Sequence, residues 1–229
     1  MDFDLSEEQR LLKESLDRLI GDRYAFEQRR NYAQAPEGWN RELWAQYAEL
    51  GMHGLPFAEQ YGGSAGGAVE TMIAMEAFGR ALALEPFLAT VVLGGGFLRH
   101  GGNPEQCAAL VPKIIDGSLT FAFAQTERHS RYDLADITTS ARRDGSGYVL
   151  DGAKTLVLHG DSTETFVVSA RVSGAQTDRS GLALFLVSAS RFLDVFGSRL
   201  DRKYFTAVQS LPALHMKIER VRKLLDRKF

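Results

Sequence analysis

The sequence predicts an α+β protein: an all-α N-terminal region, then an antiparallel, barrel-like β region, then a short helical basic tail. Three observations predict it. In the first half, apolar residues recur every three or four positions. After Gly117 they gather in short Thr-, Val-, Phe- and Leu-rich runs divided by glycine turns. From Arg199 onward, nine Lys and Arg face three acids. The expected divisions are 1–117, 118–198 and 199–229.

The helices follow in order. Ser6 and Gln9 have capping-box spacing, and Leu12, Leu16 and Leu19 then keep a helical period, widened by Leu11 and Ile20. Asn40 is a candidate cap for a second helix from about Arg41, with Trp39, Leu43, Tyr47 and Leu50 on one side and Gly51 as its stop. The glycine-rich stretch LPFAEQYGGSAGG reads as a loop. A third helix is expected from about Ala68 to Leu84, ending before Pro86. A fourth is expected from Phe87 to His100. Asn103-Pro104 opens a fifth, which stops near Asp116-Gly117.

The strand candidates are LTFAFAQT, ITTSARRD, YVLDGAKTLVLH, ETFVVSAR and GLALFLVS. Turn chemistry separates them at Asp144-Gly145-Ser146-Gly147, Asp151-Gly152, Gly160-Asp161 and Ser173-Gly174. Short strands at this spacing point to an antiparallel sheet or small barrel. In the tail, Ile218, Val221, Leu224 and Leu225 keep helical spacing. That segment is either a basic amphipathic helix for a membrane or partner, or a solvated helix end.

Bulk properties exclude several classes of function. The 229 residues carry a net charge of −2, so no overall basic excess points to nucleic acid. The longest apolar-rich run, Phe87 to Leu98, holds three glycines and is too short to span a bilayer. The N-terminus lacks the pattern of a signal peptide. The single cysteine, Cys107, excludes an internal disulfide and suits a reducing cytoplasm. No Cys/His cluster has metal-ligand spacing.

One run stands out. Residues 123–136, FAQTERHSRYDLAD, pass from an apolar strand into a dense polar segment. Around it, the motif order resembles the acyl-CoA dehydrogenase family. The opening MDFDLSEEQRLLKESL is similar to that family's first helix. EQYGGSAGGAVETMIAMEAFGRALA resembles its glycine loop and following helix. GGNPEQCAALVPKIIDGSLTFAFAQTE resembles the helix and strand that lead to its Ala-x-Thr-Glu-Pro motif. GYVLDGAKTLVLHGDSTETFVVSAR resembles its Leu-x-Gly-x-Lys hairpin. Each piece alone is weak, but the pieces stand in the right order from residue 1 to about 190.

The resemblance implies a helical domain, a central β domain and a C-terminal four-helix bundle, with FAD between the last two. It implies a reaction in which a bundle glutamate removes the α-proton of an acyl-CoA thioester and the β-hydride passes to flavin N5. A positioned base, hydrogen bonds to the developing enolate and the cofactor share that chemistry.

Carried over residue by residue, the cofactor contacts fall on Phe123, Gln125 and Thr126, and on Leu156 and Leu158 in the hairpin. Thr126 matches the threonine whose hydroxyl and backbone meet the flavin ring; otherwise it is a strand-end residue capping a turn. Lys154 matches the family lysine. Leu156-Val157-Leu158-His159 stand where the family has Trp-Ile-Thr-Asn, so Leu156 can pack but Leu158 offers only backbone. His159 either donates to a ligand or ends a strand. After Glu127, Arg128 replaces proline, Arg131 replaces glycine and Tyr132 replaces serine. Arg128, Arg131 and Tyr132 either grip an anionic part of the acyl-CoA or form a rearranged solvated loop.

The resemblance fades near Ser190, and the bundle is expected to be missing. No residue is therefore assigned as the catalytic base, and no motif gives that role to Glu70 or Glu76. The expected protein is a homo- or hetero-oligomer that needs a partner for the base. The alternative is an inactive remnant or an accessory subunit.

Overall fold

The structure, a computed structural model, describes residues 4–145 and 147–189, and the backbone at 205–206 and 210–211. The first part is helical: α1 (Glu7–Arg23), α2 (Phe26–Ala33), α3 (Arg41–Glu49), α4 (Ala68–Ala81), a π-helical segment (Leu88–Gly94) that runs directly into α5 (Gly95–Gly101), and α6 (Pro104–Ile115). The strands are β1 (Phe121–Ala124), β2 (Ser140–Asp144), β3 (Gly147–Asp151), β4 (Ala153–Lys154), β5 (Thr165–Arg171), β6 (Leu182–Ser188), β7 (Phe205–Thr206) and β8 (Ser210–Leu211).

Local chemistry starts the helices. The Ser6 hydroxyl accepts from the Gln9 amide while the Gln9 side chain accepts from the Ser6 amide. Asn103 and Gln106 repeat the arrangement at α6. Asn40 caps α3 by accepting from the Leu43 amide at 2.8 Å. The third predicted helix ends three residues early, because Leu82 turns into the left-handed region at φ 52°. Helix α2 was not predicted. It buries no residue, so it has no apolar stripe to read.

The expected antiparallel, barrel-like sheet is corrected to a mixed sheet that does not close among the described residues. β1 and β2 run parallel to β5 along one of its edges, β6 pairs antiparallel along the other, and the path continues β2-β3-β8. The cause lies at the starts of β1 and β5. Glu164 accepts from both the amide and the hydroxyl of Thr120, Thr163 donates its hydroxyl to the Thr120 carbonyl, and Thr165 donates its amide there too. These bonds set the two strands side by side and pointing the same way. Of the predicted turns, only 144–147 closes a tight hairpin. The run from Tyr148 to His159 is strand only as far as Lys154, interrupted at Gly152.

Strands β1, β5 and β6 are buried on both faces. Phe121, Val167 and Leu184 face the helices and join the same core as Leu16, Trp44, Tyr47, Phe57 and Phe78. Ala122, Ala124, Phe166, Val168 and Phe185 face the other way, onto Ala141 and Leu150. The π-helical segment lies against β1 so closely that a Cβ on Gly94 would fall 2.4 Å from Phe121 Cβ. Thr90 completes the join: its hydroxyl accepts from the Phe121 amide at 3.0 Å.

Within 199–229, the described backbone is the two short strands β7 and β8, which pair with β4 and β3. The expected tail helix, including the 218–225 stripe, lies outside the described residues.

Candidate functional site

The site is built where β1 ends. Alternation along β1 sends Phe121 and Phe123 toward the helices. Phe123 is half-buried, with its ring centroid 4.6 Å from that of Phe97 on α5. Gln125 and Thr126 follow at the strand end, both half-buried. The Thr126 carbonyl accepts from the Thr155 amide at 2.8 Å. Among the described residues, the Thr126 hydroxyl makes no hydrogen bond.

Beneath this edge lies a buried ion pair. Lys154 Nζ is 2.7 Å from Glu127 Oε1, with side chains only 1% and 2% exposed. The lysine also donates to the Gln125 carbonyl at 3.2 Å and the Ser169 hydroxyl at 3.1 Å. The same Glu127 oxygen accepts from the Thr139 amide, and Oε2 accepts from the amide and hydroxyl of Thr138. Burial alone would push the Glu127 carboxyl up. The hydrogen bonds from Lys154, Thr138 and Thr139 outweigh it and hold the group well below the ordinary carboxylate range. Burial lowers the Lys154 pKa, against the pull of Glu127. Both side chains are shielded from the surface of the edge.

The predicted residues separate into two groups. Phe123, Gln125 and Thr126 share the end of β1. Leu156 and Leu158 lie on the 155–159 loop, which the Thr155 amide ties to the Thr126 carbonyl; they are 85% and 56% exposed, while Val157 between them packs on the face of the sheet turned away from the helices. Leu156 and His159 both have left-handed backbone, at φ 53° and 56°. His tolerates that conformation better than a branched apolar residue does. Burial lowers the His159 pKa, with Asp161 opposing, so the ring is neutral at pH 7.

The second group, Arg128, Arg131 and Tyr132, lies on the exposed loop beyond Glu127, with Tyr132 99% exposed. Glu70, on α4, is committed elsewhere: it caps the Gly67 amide at 2.6 Å and accepts from Gln9 at 2.8 Å.

Sequence reasoning missed the partnership of Glu127 with Lys154, and it missed Phe97. The signal for the first was present: a lysine within GYVLDGAKTLVLH needs a buried counter-charge if that run is to pack. Among the described residues, no group of three or more His, Cys, Asp or Glu is placed to hold a metal ion, and no helix is long and apolar enough to cross a membrane.

Two family models match the chain. The acyl-CoA dehydrogenase N-terminal domain matches residues 6–118, and the acyl-CoA dehydrogenase middle domain matches residues 122–221. The chain belongs to the acyl-CoA dehydrogenase family. The middle-domain match continues into the residues read above as a basic tail.

Acyl-CoA dehydrogenase FadE12 of Mycobacterium tuberculosis is 37% identical over 149 residues, which are 64% of this chain and 38% of that one. Mitochondrial isovaleryl-CoA dehydrogenase of Pongo abelii is 30% identical over 206 residues, 85% of this chain and 48% of the relative. This chain thus spans less than half the length of these two relatives. The solved FAD complex of PigA has the same fold at a TM-score of 0.80 and 21% identity, covering 96% of this chain and 61% of that one. In this member of the family, the loop that carries the exposed leucines at 156 and 158 meets the end of β1 through the Thr155–Thr126 bond.

Proposed function

We propose that this chain forms the flavin-facing part of an FAD-dependent acyl-CoA dehydrogenase, acting on the α,β carbon–carbon bond of an acyl-CoA thioester. One observation carries the reading. A half-buried strand end, Phe123 to Thr126, carries a hydroxyl that makes no hydrogen bond among the described residues, and the Thr155 amide ties it to a loop with two exposed leucines. Such an edge suits a planar, largely apolar ring system with polar atoms on its rim. When bound, FAD would accept the hydride that leaves the acyl β-carbon.

The chain's own residues have distinct tasks in this reading. Phe123, braced by Phe97, and Leu156 give apolar walls. Thr126 donates its hydroxyl to the ring edge, and Gln125 and the Leu158 backbone complete the border. Glu127 is buried and paired, so it is not the base that takes the α-proton. That carboxylate comes from outside the described residues or from a partner subunit in a homo- or hetero-oligomer. Arg128, Arg131 and Tyr132 meet an anionic part of the acyl-CoA.

The test is spectroscopic. The purified chain, mixed with FAD and desalted, is expected to retain a visible flavin band, and Thr126→Val to retain less. A colourless chain after added FAD would sink the reading. Bleaching of bound flavin by an acyl-CoA under anaerobic conditions is the expected sign of turnover. Bound flavin that no acyl-CoA bleaches would favour an accessory role.

A further inference from the structure

The bonds around Thr126 form a pattern that neither the family match nor the expected chemistry requires. Lys154 Nζ donates to the carbonyl of Gln125, the residue before Thr126, and to the carboxylate of Glu127, the residue after it. Thr155, next to Lys154, donates its amide to the carbonyl of Thr126 itself. Three consecutive residues are thus tied to two, and the third lysine donor is anchored to Ser169 on β5. Glu127 in turn is fastened to Thr138 and Thr139, just before β2. Glu127 also closes a small local ring, its amide donating to Ser130 Oγ at 2.9 Å.

Ordinary strand pairing does not supply this. β1 ends at Ala124, and its partner along 121–124 is β5, so nothing in the ladder continues to 125–127. Without the ammonium, the 125–127 segment would keep the Thr155 bond and the bonds of Glu127 to Ser130, Thr138 and Thr139, but would lose the tie from the Gln125 carbonyl and Glu127 to Ser169 on β5. The ion pair sits behind the edge and does not reach its surface. It is therefore placed to orient Thr126 without itself touching a ligand.

We propose that Lys154 and Glu127 are positioning residues for Thr126. Their buried pair holds the backbone on either side of Thr126, and so sets where its side chain stands and how the strand end meets the flavin ring. The inference rests on the flavin reading for its ligand, but the clamp itself is testable without one. Charge-paired networks hold geometry only while every member is satisfied. Removing one partner leaves a buried charge, whereas removing both is far milder.

The experiment uses the full chain and four variants: Lys154→Met, Glu127→Gln, the two combined, and the mild Ser169→Ala. Hydrogen exchange at the Thr155 amide reports the clamp, and thermal unfolding reports the fold. In the combined variant, Thr155 exchange is expected to rise by about tenfold or more while the unfolding midpoint stays near the original. FAD affinity is expected to fall by about tenfold, with an altered shape of the visible flavin band. Ser169→Ala is expected to show the same changes in smaller degree.

A folded combined variant with unchanged Thr155 exchange overturns the proposal. So does faster exchange with unchanged flavin affinity and band shape. If the combined variant does not fold, Ser169→Ala decides by the same two readouts. If the unaltered chain takes up no FAD, the flavin reading falls, and faster Thr155 exchange still establishes the clamp.

Discussion

Arg171 donates its Nε–H to the carbonyl of Ile137 at 3.2 Å, across from the end of β5. Its other nitrogens reach the carbonyls of Ala135, Ser173, Gln176, Asp178 and Ser180. A buried guanidinium is thus satisfied by peptide oxygens and pins the 173–181 connection to the segment before β2. Lysine has neither the planar fork nor enough donors to replace it. Arg171→Met and Arg171→Lys are each expected to cost about 2 kcal/mol or more, because buried carbonyls lose their donors. Urea unfolding measures the loss, and limited proteolysis is expected to cut first between 173 and 181.

Two buried groups make stability fall in acid. His53 is fully buried against Trp44, with ring centroids 3.8 Å apart. It lies near the backbone of Ile114 and Ile115 without a well-aligned hydrogen bond. Burial drives its pKa down to about 3. An unfolded histidine binds a proton below about pH 6.5, while the folded one stays neutral. The contribution of His53 is therefore constant above pH 6.5 and declines toward pH 3, by roughly 1.4 kcal/mol per pH unit at most. Replacing His53 with leucine is expected to flatten that segment of a denaturation series. Glu127, held down to about 2, adds its own loss from about pH 4.5 toward 2. The combined change of Lys154→Met and Glu127→Gln, which leaves no buried unpaired charge, is expected to remove this lower part.

Leu156 separates stability from binding. Its left-handed backbone is strained for a branched apolar residue, and its 85% exposed side chain gains little from burial. Leu156→Asn is expected to stabilise the chain by about 0.5–1 kcal/mol, since asparagine tolerates that conformation. The same change removes an apolar wall, so FAD affinity is expected to fall. A calorimetric scan beside a flavin titration checks both signs.

Gly94→Ala tests the contact of the π-helical segment with β1. The added methyl would sit 2.4 Å from Phe121 Cβ and 2.8 Å from its ring, so backbone must move. A loss of about 1–3 kcal/mol is expected, as for other overpacked cores. Gly96→Ala, where the new Cβ meets nothing within 4 Å, is the matched control and is expected to be neutral or slightly stabilising.

What could be read from the sequence was what neighbours in the chain decide. The caps at Ser6, Asn40 and Asn103 use partners three residues away, so their helices were legible. Helix α2 was not, because its eight residues bury nothing. The direction of β5 was also hidden. It depends on Thr120 meeting Glu164, 44 positions on, and turn residues at 151–152 and 160–161 suggested hairpins instead. At the site, Phe123 and Thr126 could be found because a motif brackets them. Phe97 could not, since only the fold brings α5 against β1. The Lys154–Glu127 pair spans 27 positions, so the lysine in its apolar run signals a buried counter-charge but not which acid supplies it.

The double burial of β1 reaches beyond the site. Phe121 closes the core that the helices build, while Ala122 and Ala124 close the core on the far side of the sheet. A fragment ending at residue 117 would keep its helices yet lack the floor supplied by Phe121, Val167 and Leu184. The change in residue pattern at Gly117 therefore marks a change in architecture, not a seam at which the molecule comes apart. Helices and sheet are expected to melt together, with ring signals from Trp44 and backbone signals from the sheet sharing one midpoint.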